Sequence, residues 1–556
     1  MKKILCLISL LVLTIKSNGQ TWAWAKSGDG TGNHEGYSVR VDNVGNIYSC
    51  GYFATPSITF GTYTLNSSGA ADMFLVKYDP NGNVLWAKNA IGSLPDIAYW
   101  VTTDPSGNVF LTGYFNSPTI TFGTYTLTNS GNTNVFLAKY DTNGNVIWAK
   151  NSIASGNFVN RGLSASTDSS GNIFITGSFA SPMITFGSYT LTNTGSSTIF
   201  LVKYDGNGNV IWAKSANGTN NNVGNTVSTD ALGNVLISGA FQSSILTAGT
   251  LTVSNYNPGL EDIFVIKYDS NGNEIWAKRF GGTGPDIGYC IDTRPTGDIF
   301  LTGSFSSSTL AIGSFSLGNT GSSDMFISKF DTNGNPIWAK SGAGVGPDVG
   351  YCLSTYSAGV FVTGSMGSNG FVSCCGSPIT LGSYSLTLPP GSTDPMFIAH
   401  YDLNGNVVYA SALASGGDDQ ISVSTDKSCN AYIAGDFLQT NPFIVGSNTL
   451  TLTGVENIFT AKLTFSCLVN GIKNNDKILD RVIFPNPNNG TFKLQIENEI
   501  NNGEFVLINS MGQKVYEQTV REGINNINTG GLAKGLYNYI LLQDKQKIKD
   551  GKLVVD

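Results

Sequence analysis

The chain has 556 residues, of which 12% are charged and 67 are glycine, and its net charge is −7. This composition is typical of a turn-rich β protein and excludes a mainly helical one, which would draw on Glu, Lys, Leu and Ala. Residues 20–472 carry 17 basic and 28 acidic side chains, so this acidic part excludes binding to a phosphate backbone, and no nucleic-acid partner is expected.

The N-terminus has the form of a secretory signal peptide over residues 1–19. Lysines precede the apolar run Ile4–Ile15, which is too short to span a bilayer. Small residues at its end predict cleavage between Gly19 and Gln20. No other stretch approaches the length of a transmembrane helix, so no transmembrane segment is expected.

An internal repeat of about 62 residues fills residues 20–467. A Trp-Ala-Lys triplet marks it, with spacings of 62, 62, 64, 64 and 62 residues and a last gap of 71 before a tyrosine. These positions are Trp24, Trp86, Trp148, Trp212, Trp276, Trp338 and Tyr409. A glycine column counts seven units, at Gly51, Gly113, Gly177, Gly239, Gly303, Gly364 and Gly435.

Each unit predicts four core strands and an extra β segment between the second and the third. In the second unit, Pro105–Asn108 and Asn143-Gly144 are the turn signals between alternating β-prone runs. Tandem four-stranded units at this period predict the blades of a propeller. The seventh unit lacks its last strand, while the N-terminal "TWAWAK" has no unit before it. We therefore predict an all-β chain with a seven-bladed β-propeller closed by the N-terminal strand, rather than an open solenoid with unpaired ends.

The units resemble the SBBP-type β-propeller repeats of bacterial secreted proteins. The resemblance covers residues 21–467 and rests on the pattern D-x-x-G-N-x-[FY]-x-[TS]-G, followed by K-Y-D-x-N-G-N-x-x-W. It implies a fold and an exported location, and it implies no activity.

The last part of the chain changes character. Residues 468–480 predict a linker, and residues 481–556 predict a small Ig-like β-sandwich of alternating strands broken by turn residues. This second segment resembles the type A C-terminal sorting domain of the type IX secretion system of Bacteroidetes. The matching residues are Pro485, Asn486, Pro487, Gly490, Phe492, Gly512, Gly535, Tyr537 and Lys552. The resemblance implies Sec export and then passage through the type IX machinery, with the chain secreted or kept at the cell surface.

Repeated Asp-x-Asn-Gly-Asn turns raise the question of calcium. They start at Asp79, Asp141, Asp205, Asp269, Asp331 and Asp402. The spacing of oxygens begins like a calcium loop, but glycine stands at the fourth place and no acidic ligand closes the loop. Hairpin turns in which Asp accepts backbone N–H groups are favoured over calcium, and no cofactor is expected. The repeated tryptophan is likewise interpreted as packing between blades rather than as a sugar platform.

One column at the entry of the first strand is polar in every unit: His34, Asp96, Asn160, Asn222, Asp286, Asp348 and Asp418. In a propeller the first strand is innermost, so these side chains would ring one mouth of a central channel and bind a cation or a polar ligand. The alternative, which we favour, is a local turn or cap bond repeated in each unit.

Seven cysteines follow the signal peptide, an odd number for an exported protein. Cys429 and Cys467 end strands of the last unit at the same propeller edge and predict a disulfide. Cys290 and Cys352 share a register and are expected to be buried thiols. Two further cysteines lie in the insertion "MGSNGFVSCCGSP", which is a candidate contact loop.

Catalysis finds little support in the sequence. The two histidines, His34 and His400, lie in different units, and no hydrolase-elbow, metalloprotease or phosphate-loop motif occurs. We expect a binding or scaffold module for an unknown glycan or protein ligand, not an enzyme. Two alternatives stay open: a hydrolase or lyase acting on polysaccharide at the propeller axis, and a purely structural surface protein.

Overall fold

The computed structural model describes residues 20–367, 378–387, 395–413, 421–438, 443–465, 483–484, 490–496, 503–509, 513–521, 523–543 and 546–555. The chain folds into two compact units, Met1–Cys467 and Leu468–Asp556. Within the described ranges every regular element is a β-strand, and all strand pairs are antiparallel. The all-β expectation is therefore confirmed.

Seven repeats follow the N-terminal strand β1 (Thr21–Gly28). Repeat 1 contains β2 (His34–Val41), β3 (Ile47–Phe53), β4 (Ser57–Phe60), β5 (Tyr63–Asn66), β6 (Asp72–Tyr78) and β7 (Val84–Asn89). Repeat 2 contains β8 (Asp96–Thr103), β9 (Val109–Phe115), β10 (Thr119–Phe122), β11 (Tyr125–Thr128), β12 (Asn134–Tyr140) and β13 (Val146–Asn151). After the short β14 (Ile153–Ala154), repeat 3 contains β15 (Asn160–Thr167), β16 (Ile173–Phe179), β17 (Met183–Phe186), β18 (Tyr189–Thr192), β19 (Thr198–Tyr204) and β20 (Val210–Asn217).

The later repeats follow the same order. Repeat 4 contains β21 (Asn222–Thr229), β22 (Val235–Phe241), β23 (Ile245–Ala248), β24 (Leu251–Ser254), β25 (Asp262–Tyr268) and β26 (Glu274–Phe280). Repeat 5 contains β27 (Asp286–Thr293), β28 (Ile299–Phe305), β29 (Thr309–Ile312), β30 (Phe315–Gly318), β31 (Asp324–Phe330) and β32 (Pro336–Ser341). Repeat 6 contains β33 (Val349–Tyr356), β34 (Gly359–Ser365), β35 (Ile379–Leu381), β36 (Tyr384–Leu386), β37 (Met396–Asp402) and β38 (Val407–Leu413). Repeat 7 contains β39 (Ser422–Thr425), β40 (Ala431–Phe437), β41 (Phe443–Val445), β42 (Asn448–Leu450) and β43 (Asn457–Thr464).

In each of repeats 1 to 6, the first, second, fifth and sixth strands pair in that order into one sheet, and we call them strands a, b, c and d. The third and fourth strands form the hairpin that the sequence predicts as an extra β segment. This hairpin reaches the end of strand d of the preceding repeat, as in the bridges Thr121 to Ile91 and Thr380 to Ala343. Hairpins therefore tie each of repeats 2 to 6 to the one before it.

Within the described residues 421–438 and 443–465, repeat 7 contains no strand d of its own, and β1 takes that place. The pairing of β1 with β43 runs from Thr21 opposite Thr464 to Gly28 opposite Ile458. Consecutive a strands contact one another from β2 through β8, β15, β21, β27 and β33 to β39, and β39 contacts β2. Thr59 in the hairpin of repeat 1 forms a β-bridge to Asp29, directly after β1. This bridge is equivalent to those between the other hairpins and the preceding strand d.

A tryptophan and a lysine join neighbouring repeats at five boundaries. Trp86 Nε1 and Lys77 Nζ donate hydrogen bonds of 3.1 and 2.9 Å to the carbonyl oxygen of Thr142, in the c–d turn of the following repeat. We call this arrangement the clasp. It recurs with Trp148 and Lys139 on Gly206, Trp212 and Lys203 on Ser270, Trp276 and Lys267 on Thr332, and Trp24 and Lys462 on Pro80.

The core lies between the sheets. One apolar cluster joins Trp24, Tyr432 and Ile458 of the last sheet to Phe53 and Phe74 of repeat 1. Because each sheet buries its faces against its neighbours, a single repeat would leave its apolar surface in water. Folding of one repeat therefore depends on the next.

The C-terminal unit contains two small sheets. Their strands are β44 (Ile483–Phe484), β45 (Thr491–Ile496), β46 (Gly503–Ile508), β47 (Lys514–Val520), β48 (Gly523–Asn528), β49 (Gly535–Gln543) and β50 (Gln546–Val555). One sheet has the order β44-β45-β48 and the other β47-β46-β49-β50. A single apolar cluster takes Phe492 and Ile527 from the first sheet and Phe505, Leu541 and Leu553 from the second.

Candidate functional site

The Asp-x-Asn-Gly-Asn segments are hairpin turns. In repeat 2, Asp141 Oδ1 accepts the backbone N–H groups of Asn143 and Asn145, each at 2.8 Å, and its Oδ2 accepts Asn145 Nδ2 at 2.8 Å. Partial desolvation opposes the charge on Asp141, but these hydrogen bonds outweigh it and hold the pKa of the carboxyl below its ordinary value. The aspartate oxygens are therefore used by the turn itself.

The glycine of this turn has a second role. Gly144 has φ +80°, and a Cβ at this position would lie 2.9 Å from the indole of Trp86 in the preceding repeat. The turn and the clasp thus require the same glycine. Among the described residues, no group of three His, Cys, Asp or Glu side chains lies close enough to hold a metal ion.

The described members of the polar column at the start of strand a are buried, and those of repeats 2 to 5 bond to residues of their own repeat or of the preceding one. Asp96 accepts the backbone N–H groups of Asn116 and Ser117, at 2.9 and 3.1 Å, and the Ser117 hydroxyl at 2.7 Å. Asn160 accepts the Ser181 hydroxyl at 3.0 Å and donates to Thr133 O at 2.8 Å. The local bond that the sequence favours is therefore present in these repeats.

Equivalent contacts serve other members of the column. Asn222 accepts the Ser243 hydroxyl at 2.8 Å, and Asp286 accepts the Ser307 hydroxyl at 2.6 Å. Burial lowers the pKa of His34 to about 4. Asp418 lies outside the described residues, and a ligand-binding role for the column stays a prediction.

One member of the column, Asp348, lies where a negative charge is unfavourable. Asp348 is only 1% exposed and accepts one hydrogen bond, from Gly367 N at 3.0 Å. Burial and the neighbouring carboxylate of Asp324 raise the pKa of Asp348 to about 8. Asp348 is therefore protonated at neutral pH, and its environment accepts a neutral side chain better than a charged one.

A cavity of about 100 Å³ is lined by one equivalent residue of every repeat, with three neighbours. The seven are Tyr37, Tyr99, Leu163, Asn225, Tyr289, Tyr351 and Ile421. None of the described members of the polar column lines this cavity. The residues at which the repeats converge therefore lie three positions after the polar column in strand a.

A β-bulge in strand a explains this difference. In repeat 1 the register passes from Gly36 opposite Gly51 to Ser38 opposite Cys50, so that Tyr37 is the extra residue, and repeats 2 to 6 have the same bulge. A bulge re-aims one side chain and breaks the simple alternation of a strand. The residue before it is small in every case: Gly36, Ala98, Gly162, Gly224, Gly288 and Gly350. This column of small residues is the signal that could have located the bulge.

Repeats 1 to 3 depart from the repeat pattern beside this cavity. Four half-buried tyrosines form a continuous ladder: the ring centroids of Tyr52 and Tyr37 are 6.0 Å apart, those of Tyr37 and Tyr99 5.0 Å, and those of Tyr99 and Tyr114 5.7 Å. The exposed Arg161 extends the row, with its guanidinium 5.7 Å from the centre of the Tyr114 ring. We call these four tyrosines, with Arg161, the tyrosine ladder.

Glu35 fixes one end of the tyrosine ladder. Its carboxylate accepts the hydroxyls of Tyr37, at 2.5 Å, and of Tyr52. Burial and then Glu35 raise the pKa of Tyr37, so its hydroxyl remains a donor at physiological pH. At the positions of Glu35 and Arg161, repeats 2 and 4 to 6 have Ile97, Val223, Ile287 and Val349. Repeat 7 has Asp419 at this position. Repeats 1 to 3 thus bring aromatic faces, an acid and a base together, whereas repeats 4 to 6 are aliphatic at the position of Glu35.

Two larger grooves lie between repeats away from the shared cavity. One has a volume of about 420 Å³ and is lined by Lys150, Tyr204 and Asn209 among others. The other has about 500 Å³ and is lined by the equivalent residues Lys340, Tyr401 and Asn406. Because equivalent residues line both grooves, the grooves are a regular feature of the repeats and do not mark one repeat as a specific site.

Repeat 6 exchanges one buried pair for another. In repeats 2 to 4 the lysine of the clasp is 2.9 to 3.7 Å from the aspartate of the a–b turn, as in Lys139–Asp104 and Lys267–Asp230. In repeat 6 these two positions are His400 and Tyr356, whose Nε2 and hydroxyl are 2.5 Å apart. Burial lowers the pKa of His400 to about 4. His400 is therefore a packed, neutral partner of Tyr356.

The cysteines fall into two groups. Cys50, Cys290 and Cys352 are buried free thiols, while Cys429 takes part in a disulfide bond. Cys467, its predicted partner, lies outside the described residues, so the pairing stays a prediction. The two cysteines of the insertion also lie outside the described residues.

The sorting-motif residues occupy the C-terminal unit. Gly490 has φ +89° and its carbonyl accepts Thr529 N at 2.8 Å. Phe492 is buried, and the Tyr537 hydroxyl donates to Ala533 O at 2.7 Å. Gly535 begins β49 and Lys552 lies in β50. The following lie outside the described residues: Pro485, Asn486, Pro487 and Gly512, the segment 1–19 with Gly19 of the predicted cleavage site, and the linker 468–480. Gln20, on the other side of that site, is the first described residue.

Comparison with known families assigns the C-terminal unit. The family described as "Secretion system C-terminal sorting domain" matches residues 482–556. The chain is thus an all-β repeat protein that carries a type IX sorting domain. This domain implies interaction with the type IX machinery and export to the cell surface or the medium. Within the described ranges, no helix is long and apolar enough to cross a bilayer.

Curated relatives match only parts of the chain. The "Uncharacterized WD repeat-containing protein L264" of Acanthamoeba polyphaga mimivirus is 27% identical over 54% of this chain and 27% of that protein. The "Regulatory protein FlaEY" of Caulobacter vibrioides is 30% identical over 25% of this chain and 15% of that protein. The chain thus spans about a quarter or less of the length of these relatives.

Solved structures align over most of the chain at low similarity. A Synechocystis apocarotenoid oxygenase has 10% identity and a TM-score of 0.33, covering 81% of this chain and 94% of that one. PorZ, a surface component of the type IX secretion system of Porphyromonas gingivalis, has 8% identity and a TM-score of 0.14, covering 96% and 100%. Scores this low do not define a shared fold.

Proposed function

We propose that the first unit is a seven-bladed β-propeller of the SBBP type, closed by β1, and that it acts as an exported binding module. Support for the ring comes from the a strands, whose contacts run through all repeats and return to β2. The clasp of Trp24 and Lys462 on Pro80 adds to it. The WD repeats in the name of the viral relative agree with this architecture, since such repeats build propellers.

The observation that carries the binding role is the tyrosine ladder. Half-buried tyrosines supply large, rigid contact area at low entropic cost, and Glu35 and Arg161 add directional polar contacts. The clasp recurs at five boundaries, as a structural feature should, whereas the four tyrosines with Glu35 and Arg161 come together only in repeats 1 to 3 among the described residues. Tyr289 and Tyr351 of repeats 5 and 6 repeat only the central pair, with ring centroids 5.4 Å apart. The ligand, a glycan or a protein segment, would lie across Tyr37 and Tyr99.

An axial polysaccharide-cleaving site, the enzymatic alternative, receives less support. A cavity of about 100 Å³ is smaller than the roughly 300–1,000 Å³ of ordinary ligand sites. Among the described residues, its lining contains no Asp, Glu or His to serve as acid or base. The repeated clasp favours the other alternative, a structural surface protein, as the second candidate.

Export is proposed in two steps. Residues 1–19 would direct Sec export, and the sorting domain would then direct passage of the outer membrane, after which the chain is released or retained at the surface. In a host with type IX secretion, we expect removal of residues 482–556 to leave the protein inside the cell envelope. Removal of residues 1–19 should leave it in the cytoplasm.

The binding proposal is tested with the purified full chain on glycan and protein arrays, with and without calcium. We expect the double variant Tyr37→Ala/Tyr99→Ala to weaken binding at least about tenfold, and Arg161→Ala to weaken it less. The matched control is Tyr63→Ala/Tyr125→Ala, two tyrosines on the hairpins that are each 38% exposed.

Three results would contradict the proposed site. Equal binding by both double variants would remove the tyrosine ladder from the site. Binding that is instead lost in Lys150→Ala/Lys340→Ala would place the ligand in the repeated grooves. Turnover of a polysaccharide without stable binding would favour the enzyme.

A further inference from the structure

Two buried thiols face each other across the boundary between repeats 5 and 6. Cys290 on β27 and Cys352 on β33 are 3% and 6% exposed, and their Sγ atoms are 3.8 Å apart. The two strands contact each other along their length. The residues are 62 positions apart in sequence, so a bond between them would close a large loop.

The position of these cysteines lies at the contact between neighbouring a strands. In repeats 1, 3, 4 and 7 it holds a hydroxyl that accepts a backbone N–H group of a nearby repeat. Ser38 accepts Val101 N at 3.3 Å, and Ser164 accepts Val227 N at 3.2 Å. Ser422 accepts Val39 N at 3.2 Å across the boundary between repeats 7 and 1.

Repeats 5 and 6 replace this hydroxyl contact by sulfur. The Cys290 Sγ lies 3.6 Å from the carbonyl oxygen of Leu353, and the Cys352 Sγ lies 3.7 Å from that of Val423. The Cys290 thiol is directed to Cys352 and lowers the pKa of the Cys352 thiol relative to that of Cys290. Before the repeats close, either cysteine can supply the attacking thiolate, and Cys352 is taken as the first to react.

We propose that Cys290 and Cys352 form a disulfide that locks repeats 5 and 6 together in the exported protein. The sorting domain implies an exported protein, and disulfides form and persist in the oxidising environment outside the cytosol. The cavity that Cys352 lines holds only about 100 Å³, so an oxidant of the disulfide class reacts with the pair before the repeats have closed around it.

The chemistry is a thiol–disulfide exchange in two steps. The Cys352 thiolate attacks one sulfur of a small disulfide R–S–S–R, which forms a mixed disulfide and releases one R–S⁻. Cys290, after losing its proton, then attacks Cys352 Sγ and displaces the second R–S⁻. The two protons from the cysteines end on the two released thiols, and the two cysteines supply the two electrons that reduce the reagent.

The test is to refold the full chain with oxidised glutathione, block remaining thiols under denaturing conditions, and map the peptides by mass. We expect a linked peptide pair containing Cys290 and Cys352, which separates on reduction. The disulfide of Cys429 is the internal control that oxidation took place. Recovery of both Cys290 and Cys352 as blocked free thiols beside an oxidised Cys429 would overturn the proposal.

A second measurement does not depend on the peptide map. We expect the oxidised chain to have a melting temperature several degrees above that of the reduced chain, and this difference to shrink in Cys290→Ser and Cys352→Ser. Serine occupies the equivalent position in repeats 1, 3 and 7, so these variants keep a side chain that this site accepts. An equal difference in wild type and in both serine variants would also reject the bond.

Discussion

The indole Nε1 of Trp24 donates a hydrogen bond to the carbonyl oxygen of Pro80, 3.2 Å away and 56 residues along the chain. The Trp24 ring is also 6.1 Å from the ring of Tyr78 and 6.3 Å from that of Tyr432, so it contacts both the first and the last repeat. The N-terminal strand thereby makes the same contacts that Trp86 or Trp148 makes in the interior of the chain.

This equivalence predicts the cost of removing the N-terminal tryptophan. We expect Trp24→Ala to destabilise the first unit by about 3–5 kcal/mol, as for other buried aromatic residues. Trp148→Ala, at the equivalent position between repeats 2 and 3, should cost a similar amount in urea unfolding. A cost near zero for Trp24→Ala beside a full cost for Trp148→Ala would mean that β1 is a loose end.

The glycine of the c–d turn provides a second prediction. Gly144→Ala forces a side chain into a backbone with φ +80° and brings its Cβ to 2.9 Å from Trp86. We expect a loss of about 2–4 kcal/mol in the free energy of unfolding, from backbone strain and overpacking together.

Gly171→Ala is the matched control for this change. Gly171 has φ +78°, but no atom lies within 4 Å of the position that its Cβ would take. Only the strain of about 1–2 kcal/mol should be seen there. Equal losses for Gly144→Ala and Gly171→Ala in thermal unfolding would show that the Trp86 contact contributes nothing.

Asp348 predicts a dependence of stability on pH. Its pKa of about 8 is above the value near 3.9 of an unfolded aspartate, so the folded state binds the proton more tightly. The stability that the protonated carboxyl supplies is complete below about pH 3.9 and is lost as the pH rises through 8. We expect Asp348→Asn to raise the melting temperature at pH 8 by several degrees and to change it little at pH 4.

The equivalent change in the opposite direction serves as its control. Asn160 donates Nδ2 to Thr133 O at 2.8 Å, so Asn160→Asp would set a carboxylate oxygen against a carbonyl oxygen. The free energy of unfolding should fall by about 1–3 kcal/mol at pH 8. A neutral or destabilising effect of Asp348→Asn at pH 8 would contradict this prediction. It would mean that the folded protein stabilises the charged form of Asp348.

His400 and Tyr356 predict a coupled pair. Lysine at position 400 would place a charge beside Tyr356 and Phe361, because the aspartate found in repeats 2 to 4 is replaced here by Tyr356. We expect His400→Lys to cost about 2–4 kcal/mol and Tyr356→Asp/His400→Lys to recover part of it. A double-mutant cycle from urea unfolding measures this coupling, and strictly additive costs would contradict it.

The same histidine gives a pH dependence of the opposite sign. The pKa of His400, about 4, is below the value near 6.5 of an unfolded histidine. The unfolded state therefore binds the proton first, and stability falls as the pH drops from about 6.5 to 4. His400→Gln should reduce this loss in melting temperatures measured between pH 7 and pH 4. An unchanged loss would mean that His400 does not supply it.

The repeat, its strands and the pairing of the N-terminal strand with the last sheet could be predicted because each leaves a signal in every copy. Trp24 and Tyr409 are the first and last members of the column that marks strand d. The c–d turn could be predicted from Asp141 and Gly144. The convergent residues such as Tyr99 could not be predicted in the same way. A bulge reverses the side of the sheet on which every later side chain of the strand lies. In the sequence, the only sign of this bulge is the small residue before it, which is Ala98 in repeat 2.

The tyrosine ladder was missed for a different reason. Tyr52 and Tyr114 lie on strand b, while Tyr37 and Tyr99 lie on strand a of the same two repeats, so their row exists only once the sheets are side by side. The pair of Tyr356 and His400, which replaces the Asp–Lys pair of repeats 2 to 4, was also missed. These two residues are 44 positions apart in the chain, and only the structure brings them together.

The pairing of β1 with β43 has a consequence for biosynthesis. Thr21 and Thr464, which lie opposite each other, are separated by 443 residues, so the first strand to emerge must wait for the last repeat before its edge is covered. Closing so long a loop is slow, and uncovered edges invite association with other chains. A chain of this design therefore keeps one strand without its final partner until the last of the repeats has been synthesised, so the end of synthesis sets the earliest moment at which the last sheet can be completed.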